Sequence, residues 1–271
     1  MFSYAPVKFD GGLWARPRVP AGDTPDLIRI VTWNVWFDDY KIEARGGGLL
    51  AELGRRRPHV IALQEVTNPL LAAILREPWV RAEYQVSDVD VIGYDVIVLS
   101  RLPIMRMMTL PLVSEMGRRL AVARLGCGLD VATVHLESTS ACAAERAAQL
   151  AVIQPALVEA GEDAVLVGDM NFDPAAALER AALDPSFVDV WPALRSEEPG
   201  YSVDGERNAM SVHVMREARR ARIDRVFARS RRWRPEAIEL VGTAPIDGAG
   251  TFVSDHFGLE VTLRHDPSRA R

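Results

Sequence analysis

Short apolar runs, each stopped by polar or turn-forming residues, divide most of the chain. LIRIVTWNV (27–35), HVIALQEV (59–66), GYDVIVLSR (93–101), RLAVARLG (119–126) and LDVATVHLES (129–138) are rich in β-branched residues, which predicts strands. AVLVGD (164–169), RIDRVFAR (222–229), EAIELVG (236–242) and FVSDHFGLEVTL (252–263) repeat the pattern. LLAELGRRR (49–57) has helical spacing and stops at Pro58. ACAAERAAQLAVI (141–153) consists of strong helix formers, with Pro155 expected to kink or end it. Many strands with helices between them predict an α/β fold of layered sheets and helices. Hairpin-like neighbours predict mixed or antiparallel sheets, not a doubly wound parallel one. Residues 1–26 hold four prolines and several glycines and read as an extended arm. A single domain over 27–264 and a polar tail over 265–271 complete the expected organisation.

Composition narrows the class without naming it. Of the 271 residues, 48% are hydrophobic and 25% charged, which suits a globular protein, and no apolar run is long enough to cross a membrane. The first residues lack the basic start and apolar core of a signal peptide, so the expected location is cytoplasmic. Cys127 and Cys142 have no metal-type spacing and imply neither zinc nor a disulfide framework. The net charge of −5 argues against bulk electrostatic capture of nucleic acid. Lys8 and Lys41 are the only lysines among 32 basic residues, and arginine concentrates in REARRARIDR (216–225). That run is either a phosphate-binding patch or a solvated face.

The polar residues that end the strands matter more. Asn34 closes TWN, Glu65 closes ALQE, His135 stands in VHLES, and Asp169 and Asn171 stand in GDMN. Asp224 interrupts RIDRVF, and Asp255 and His256 precede FGL. Singly, each has a plain use: a turn residue, a helix-start acid for Glu65, a core histidine for His135. Together they suit magnesium, which takes hard oxygen ligands from one or two carboxylates and substrate phosphate. Glu65 suits a direct ligand. Asp169 can accept a proton from an attacking water, and Asn34 and Asn171 can donate to phosphate oxygens. Two-residue spacing would put Asp169 and Asn171 on one face. His135 and His256, if cationic, can stabilise charge on phosphorus, with Asp224 the candidate to orient one of them. His59 and His265 read as solvated, and His213 as a loop residue of open role. No Walker or dinucleotide glycine motif is present, and RGGGLL (45–50) lacks the lysine and the preceding strand.

TWN, LQEV, GDMN and SDHFG, in this order, resemble the endonuclease/exonuclease/phosphatase superfamily over about residues 27–263. HLEST followed by AAERAAQL, then VDVW, RIDRVF and SDHFGL, is most similar to its tyrosyl-DNA phosphodiesterase 2 branch. The resemblance implies a four-layer α/β/β/α sandwich and a magnesium-dependent phosphodiesterase, with manganese as a substitute. The substrate would be a nucleic-acid 5′ end, a DNA end or a 5′-phosphotyrosyl adduct, with no membrane or obligate protein partner. It implies Glu65 and Asp255 as metal residues. Asn34, His135, Asp169, Asn171, Asp224 and His256 would be catalytic, with His135 and Asn171 also on the substrate. Arg118 falls where the branch keeps a supportive arginine that would touch substrate. Three positions depart from the pattern: Trp36 stands for an acid, with Asp38 or Asp39 nearby, Asp173 for a basic residue, and Val203 for an aromatic one. These departures and the negative charge keep a small-molecule phosphatase or sphingomyelinase-like phospholipase as an alternative; a non-catalytic nucleic-acid-binding relative is another, which the presence of Glu65, Asp169 and His256 argues against.

Overall fold

The computed structural model describes residues 1–17, 24–215 and 218–270. Strands β1 (Phe2–Tyr4), β2 (Val7–Asp10), β3 (Leu13–Ala15) and β4 (Leu27–Asn34) lead into helix α1 (Ile42–Arg56) and β5 (Val60–Thr67). Helices α2 (Asn68–Arg76) and α3 (Pro78–Glu83) precede β6 (Gln85–Val86), β7 (Tyr94–Ser100), β8 (Ile104–Pro111), β9 (Arg119–Leu125) and β10 (Asp130–His135). Then come α4 (Ala143–Ala160), β11 (Ala164–Asp169), α5 (Ala177–Ala182), β12 (Val188–Asp189), α6 (Val190–Leu194), β13 (Val203–Asp204) and α7 (Ala209–Met215). The strands β14 (Arg220–Ala221), β15 (Asp224–Arg229), β16 (Trp233–Val241) and β17 (Gly258–His265) follow, and a short 3-10 helix over Pro267–Ala270 comes last.

Two large sheets form, ordered β1-β8-β9-β10-β11-β15-β12 and β16-β17-β4-β5-β7-β6-β2-β3. Only β10–β11 and β4–β5 pair in parallel among the described residues, so both sheets are mixed and mostly antiparallel, as expected. Alternation along each strand builds the layers. In β4, Ile28 and Ile30 face a core shared with Val165 and Val167 of β11, while Val31 and Trp33 pack on Leu49 and Leu53 of α1. In β11 the other face, Ala164 and Leu166, packs on Leu150, Ile153 and Leu157 of α4. The result is helix, sheet, sheet, helix.

Some expectations need correction. The segment read as an arm supplies β1 to one sheet and the β2–β3 hairpin to the other, around a Gly11-Gly12 turn whose φ values of 56° and 91° suit a two-residue hairpin. Residues 18–23 of that segment lie outside the described residues, as do Arg216 and Arg271. Helix α4 runs through Pro155 to Ala160, because Ile153 and Leu157 on either side of the missing donor are both buried. The three glycines of RGGGLL lie inside α1. The strand expected over 252–263 begins only at Gly258. His59 is half-buried and accepts the Arg29 backbone N–H at 3.0 Å, and His265 ends β17 against the Trp233 ring at 4.8 Å. Neither is simply solvated.

Candidate active site

At one rim the core between the sheets turns from apolar to polar. Gln64 donates to Thr32 at 3.0 Å on its own sheet and to Thr133 at 2.9 Å on the other. One step further out, the same alternation brings Asn34 of β4 opposite His135 of β10 and Asp169 of β11. Register places Asp169 level with both His135 and Asp224. Glu65 has the wrong parity for this face. It reaches the rim because β5 shifts register between Leu63 and Val66, with Glu65 in the left-handed region at φ 62°. β11 also needs a close approach: at Gly168, with φ 135°, a Cβ would lie 2.0 Å from the Val134 carbonyl oxygen.

Asn34 Nδ2 bridges the carboxylates of Glu65 and Asp169, donating to each at 2.9 Å. Its own Oδ1 accepts the Trp36 N–H at 3.0 Å, while Glu65 Oε2 accepts the Phe37 N–H at 2.9 Å. Asp169 Oδ1 accepts the Asn171 N–H at 2.9 Å. β11 ends at Asp169, so strand alternation does not set Asn171. That residue turns left-handed at φ 54° and donates from Nδ2 to the Leu136 carbonyl at 3.0 Å.

The two histidines are electrically opposite. Arg118 Nη1 can only donate, and it meets His135 Nδ1 at 3.0 Å, so the ring proton sits on Nε2, 3.4 Å from Asp169 Oδ2. Burial, then the charges of Arg118 and His256, hold His135 well below the ordinary histidine range. The expectation of a cationic His135 is therefore corrected: it is a neutral donor. His256 Nδ1 lies 2.7 Å from Asp224 Oδ2. Burial opposes its charge, but Asp224 and Asp255 outweigh it and raise the His256 pKa well above ordinary.

Four buried or nearly buried carboxylates, Glu65, Asp169, Asp224 and Asp255, share this rim. Burial and the neighbouring Asp224 push Asp169 up to about 7, and burial with Asp255 raises Glu65. The repulsion among them is what a divalent cation would relieve. Ligand atoms of Glu65, His135 and Asp169 lie within 4.8 Å of one another, as do those of Asp169, Asp224 and His256. Arg118 occupies His135 Nδ1 and the proton occupies Nε2, which leaves oxygens as the ligand atoms of the first group and suits a hard cation. Asp255 lies outside both groups and acts on Glu65 through its charge.

A cleft of about 1030 Å³ opens over this rim, with Glu65, His135, Asp169, Asn171, Asp255 and His256 on its wall. Asn34, Asp224 and Arg118 are buried behind that wall, where they hold the residues in front, so Arg118 meets His135 and not the cleft in which it was expected to touch substrate. Of the three departures, Trp36 is largely buried, with the Arg45 guanidinium 4.4 Å from its ring, and lines the cleft together with Asp38, while Asp39 is exposed elsewhere. Asp173 lines the cleft, and Val203 is buried in the β13–β14 pair. His213, on α7 and not in the expected loop, also lines it, stacked on Tyr40 at 5.1 Å. The arginine run is largely spent on ion pairs: Arg222 and Arg225 share Asp189 at 2.9 and 2.6 Å, and Arg220 pairs with Glu206. Arg219 lines the cleft.

Several supporting residues gave no signal in the sequence. All five guanidinium donors of buried Arg45 end on carbonyls, those of Val35, Trp36, Asp38, Tyr40 and Val253, which fixes the loop after β4. Ser202 Oγ accepts the Asp224 N–H at 3.0 Å, and its carbonyl accepts Phe257 N–H, tying the Asp224 and His256 segments together. The ER and QL pairs of α4 are framework. Arg146 bonds Glu179 and the carbonyls of Glu137 and Thr139, and Gln149 bonds Glu137 N–H and Val113 carbonyl.

Two mixed sheets between helices, with this carboxylate, amide and histidine set at one rim, define a phosphoesterase class. The chain matches the model of the Endonuclease/Exonuclease/phosphatase family over residues 31–256 and belongs to that family. Within it, the chain resembles tyrosyl-DNA phosphodiesterase 2. The Danio rerio protein of that name is 29% identical over 251 residues, covering 87% of this chain and 66% of its own length. The Homo sapiens protein is 29% identical over 263 residues, covering 90% and 71%. This chain thus spans about two thirds of the length of those relatives. The D. rerio tyrosyl-DNA phosphodiesterase 2 complexed with single strand DNA product superposes with a TM-score of 0.78 at 26% identity, over 89% of this chain and all of that one. Sphingomyelinase C from Streptomyces griseocarneus shares the fold, with a TM-score of 0.65 at 21% identity over 88% and 99%.

Proposed function

We propose that this protein is a magnesium-dependent phosphodiesterase acting at nucleic-acid 5′ ends, with 5′-phosphotyrosyl DNA among its substrates. Manganese would substitute for magnesium. The observation that supports this best is the charge arrangement on the cleft wall: carboxylate Asp169 between neutral His135 and cationic His256. Glu65, with Asp255 beside it in charge, would hold the cation. A bound divalent cation supplies positive charge to phosphate oxygens and to the departing oxygen. Asp169, its two oxygens fixed by Asn34 and Asn171, aligns the attacking water and takes its proton. The Nε2–H groups of His135 and His256 donate to non-bridging phosphate oxygens, where charge grows in the transition state. Asp224 keeps His256 charged and pointed, and Arg118 fixes the His135 tautomer.

The test is a substrate panel with magnesium: 5′-tyrosyl DNA, abasic DNA, inositol phosphates and sphingomyelin. The expected result is cleavage of the 5′-tyrosyl oligonucleotide, abolished by EDTA and restored by magnesium or manganese. Turnover of sphingomyelin or an inositol phosphate with the oligonucleotide untouched would replace this reading. Tight DNA binding with no cleavage of any substrate would make the protein a binding relative.

A further inference from the structure

Phe37 is an aromatic side chain that the chemistry above does not use. Its ring lies parallel to that of Tyr94, with centroids 4.5 Å apart and planes 8° apart. The residue is nonetheless 48% exposed and stands on the wall of the active-site cleft. A ring stacked on one side and open on the other offers a preorganised π-face. Its position is tied to the chemistry, because the Phe37 N–H is the group that bonds Glu65 Oε2. Arg45 fixes the same loop through carbonyls on both sides of Phe37, so the ring is carried on a rigid segment. Tyr94 is itself backed by the Arg118 guanidinium, 5.5 Å from its ring centre.

We infer that the open face of Phe37 is a stacking platform for the nucleobase of the nucleotide that carries the scissile phosphate. This rests on the phosphodiesterase reading and names the part of the substrate that the cleft holds beside the phosphate. Asp38, next in the chain, separates a base from an aromatic leaving group. It lines the same cleft and is an acceptor only. Every base carries an N–H donor in its ring plane, exocyclic or on the ring, that can reach this acceptor, whereas a tyrosyl ring esterified through its oxygen carries no donor on the ring. The platform presents a flat apolar face, so it tolerates any base.

The experiment compares oligonucleotides with one 5′ leaving group and either a base-bearing or an abasic first nucleotide. Stacking on one aromatic ring is worth about 1–3 kcal/mol per base, or roughly 5–150-fold. Phe37→Ala should therefore raise KM on the base-bearing substrate by about tenfold more than on the abasic one, and Phe37→Trp should restore the difference. Equal changes on both substrates would overturn the platform. So would a loss that follows the ring of the leaving group instead of the base. Anisotropy titration of the same oligonucleotides in EDTA gives the comparison without turnover. A wild-type protein that binds both equally and cleaves neither would sink the stacking and the phosphodiesterase readings separately.

Discussion

Both oxygens of Asp169 already accept a hydrogen bond, one from Asn34 Nδ2 and one from the Asn171 N–H. Asp169→Asn therefore removes the base and also turns an amide –NH2 toward one of these donors. We expect kcat to fall by about 10²–10⁴, the usual worth of a general base. Folding should stay largely intact in urea unfolding, because the lost hydrogen bond is offset by relief of the burial and Asp224 repulsion that raise this carboxyl. If Asn171→Ala acts on the same phosphoryl centre, the double variant will be far less impaired than the product of the single effects. Wild-type turnover in Asp169→Asn would return this carboxylate to a turn role. Four of the residues read from the sequence, Asn34, His135, Asp169 and Asp224, sit on strands whose apolar alternation already assigns their face, whereas Asn171, Asp255 and His256 are legible only as motif residues beside strands. Arg45 and Ser202 act through backbone carbonyls and N–H groups of distant segments, and residue type alone does not announce that.

Elements carry the site only where their ends are anchored. The start of β11 is held by Asp163, which accepts from Ser230 Oγ, the backbone N–H groups of Arg231 and Arg232, and the Arg232 guanidinium. Burial raises the Asp163 pKa, but these donors outweigh it and the net shift is downward. A depressed folded-state pKa contributes stability above the unfolded value of about 3.9 and loses it as pH falls through the folded value. Asp163→Ala should cost about 2 kcal/mol at neutral pH in denaturant titrations. The gap from wild type should close as the pH falls below the ordinary carboxylate range. A gap independent of pH would assign the loss to packing. Glu65 marks the limit of reading elements from pattern. Strand parity points it toward the helix layer, and only the bulge brings it to the rim. The pairing of Arg222 and Arg225 with Asp189 was equally hidden, because it joins segments more than thirty residues apart.

Four mutually repelling carboxylates at one rim couple the stability of the whole molecule to the cation. A ligand bound only by the folded state stabilises it by about 2.7 kcal/mol at a hundred times its Kd. Magnesium should accordingly raise the Tm of wild-type protein in differential scanning calorimetry, and the rise should vanish in Glu65→Ala. An equal rise in that variant would take Glu65 out of the cation site. Deleting residues 1–15 should lower the Tm and promote aggregation, followed by light scattering, because it bares an edge of each sheet. Unchanged melting would show that those edges need no cover.

That N-terminal segment also bears on how the chain folds. Only Ala5 and Pro6 separate β1, paired with β8 of one sheet, from β2, paired with β6 of the other. Phe2 meets Thr109, so its partner lies about a hundred residues further along. Contacts of such long sequence separation form slowly and late. During synthesis the first strand therefore waits, unpaired, until residues 104–111 have been made. By the same measure that edge closes before β17 reaches β4, a pairing that spans more than two hundred residues and joins the two ends of the domain.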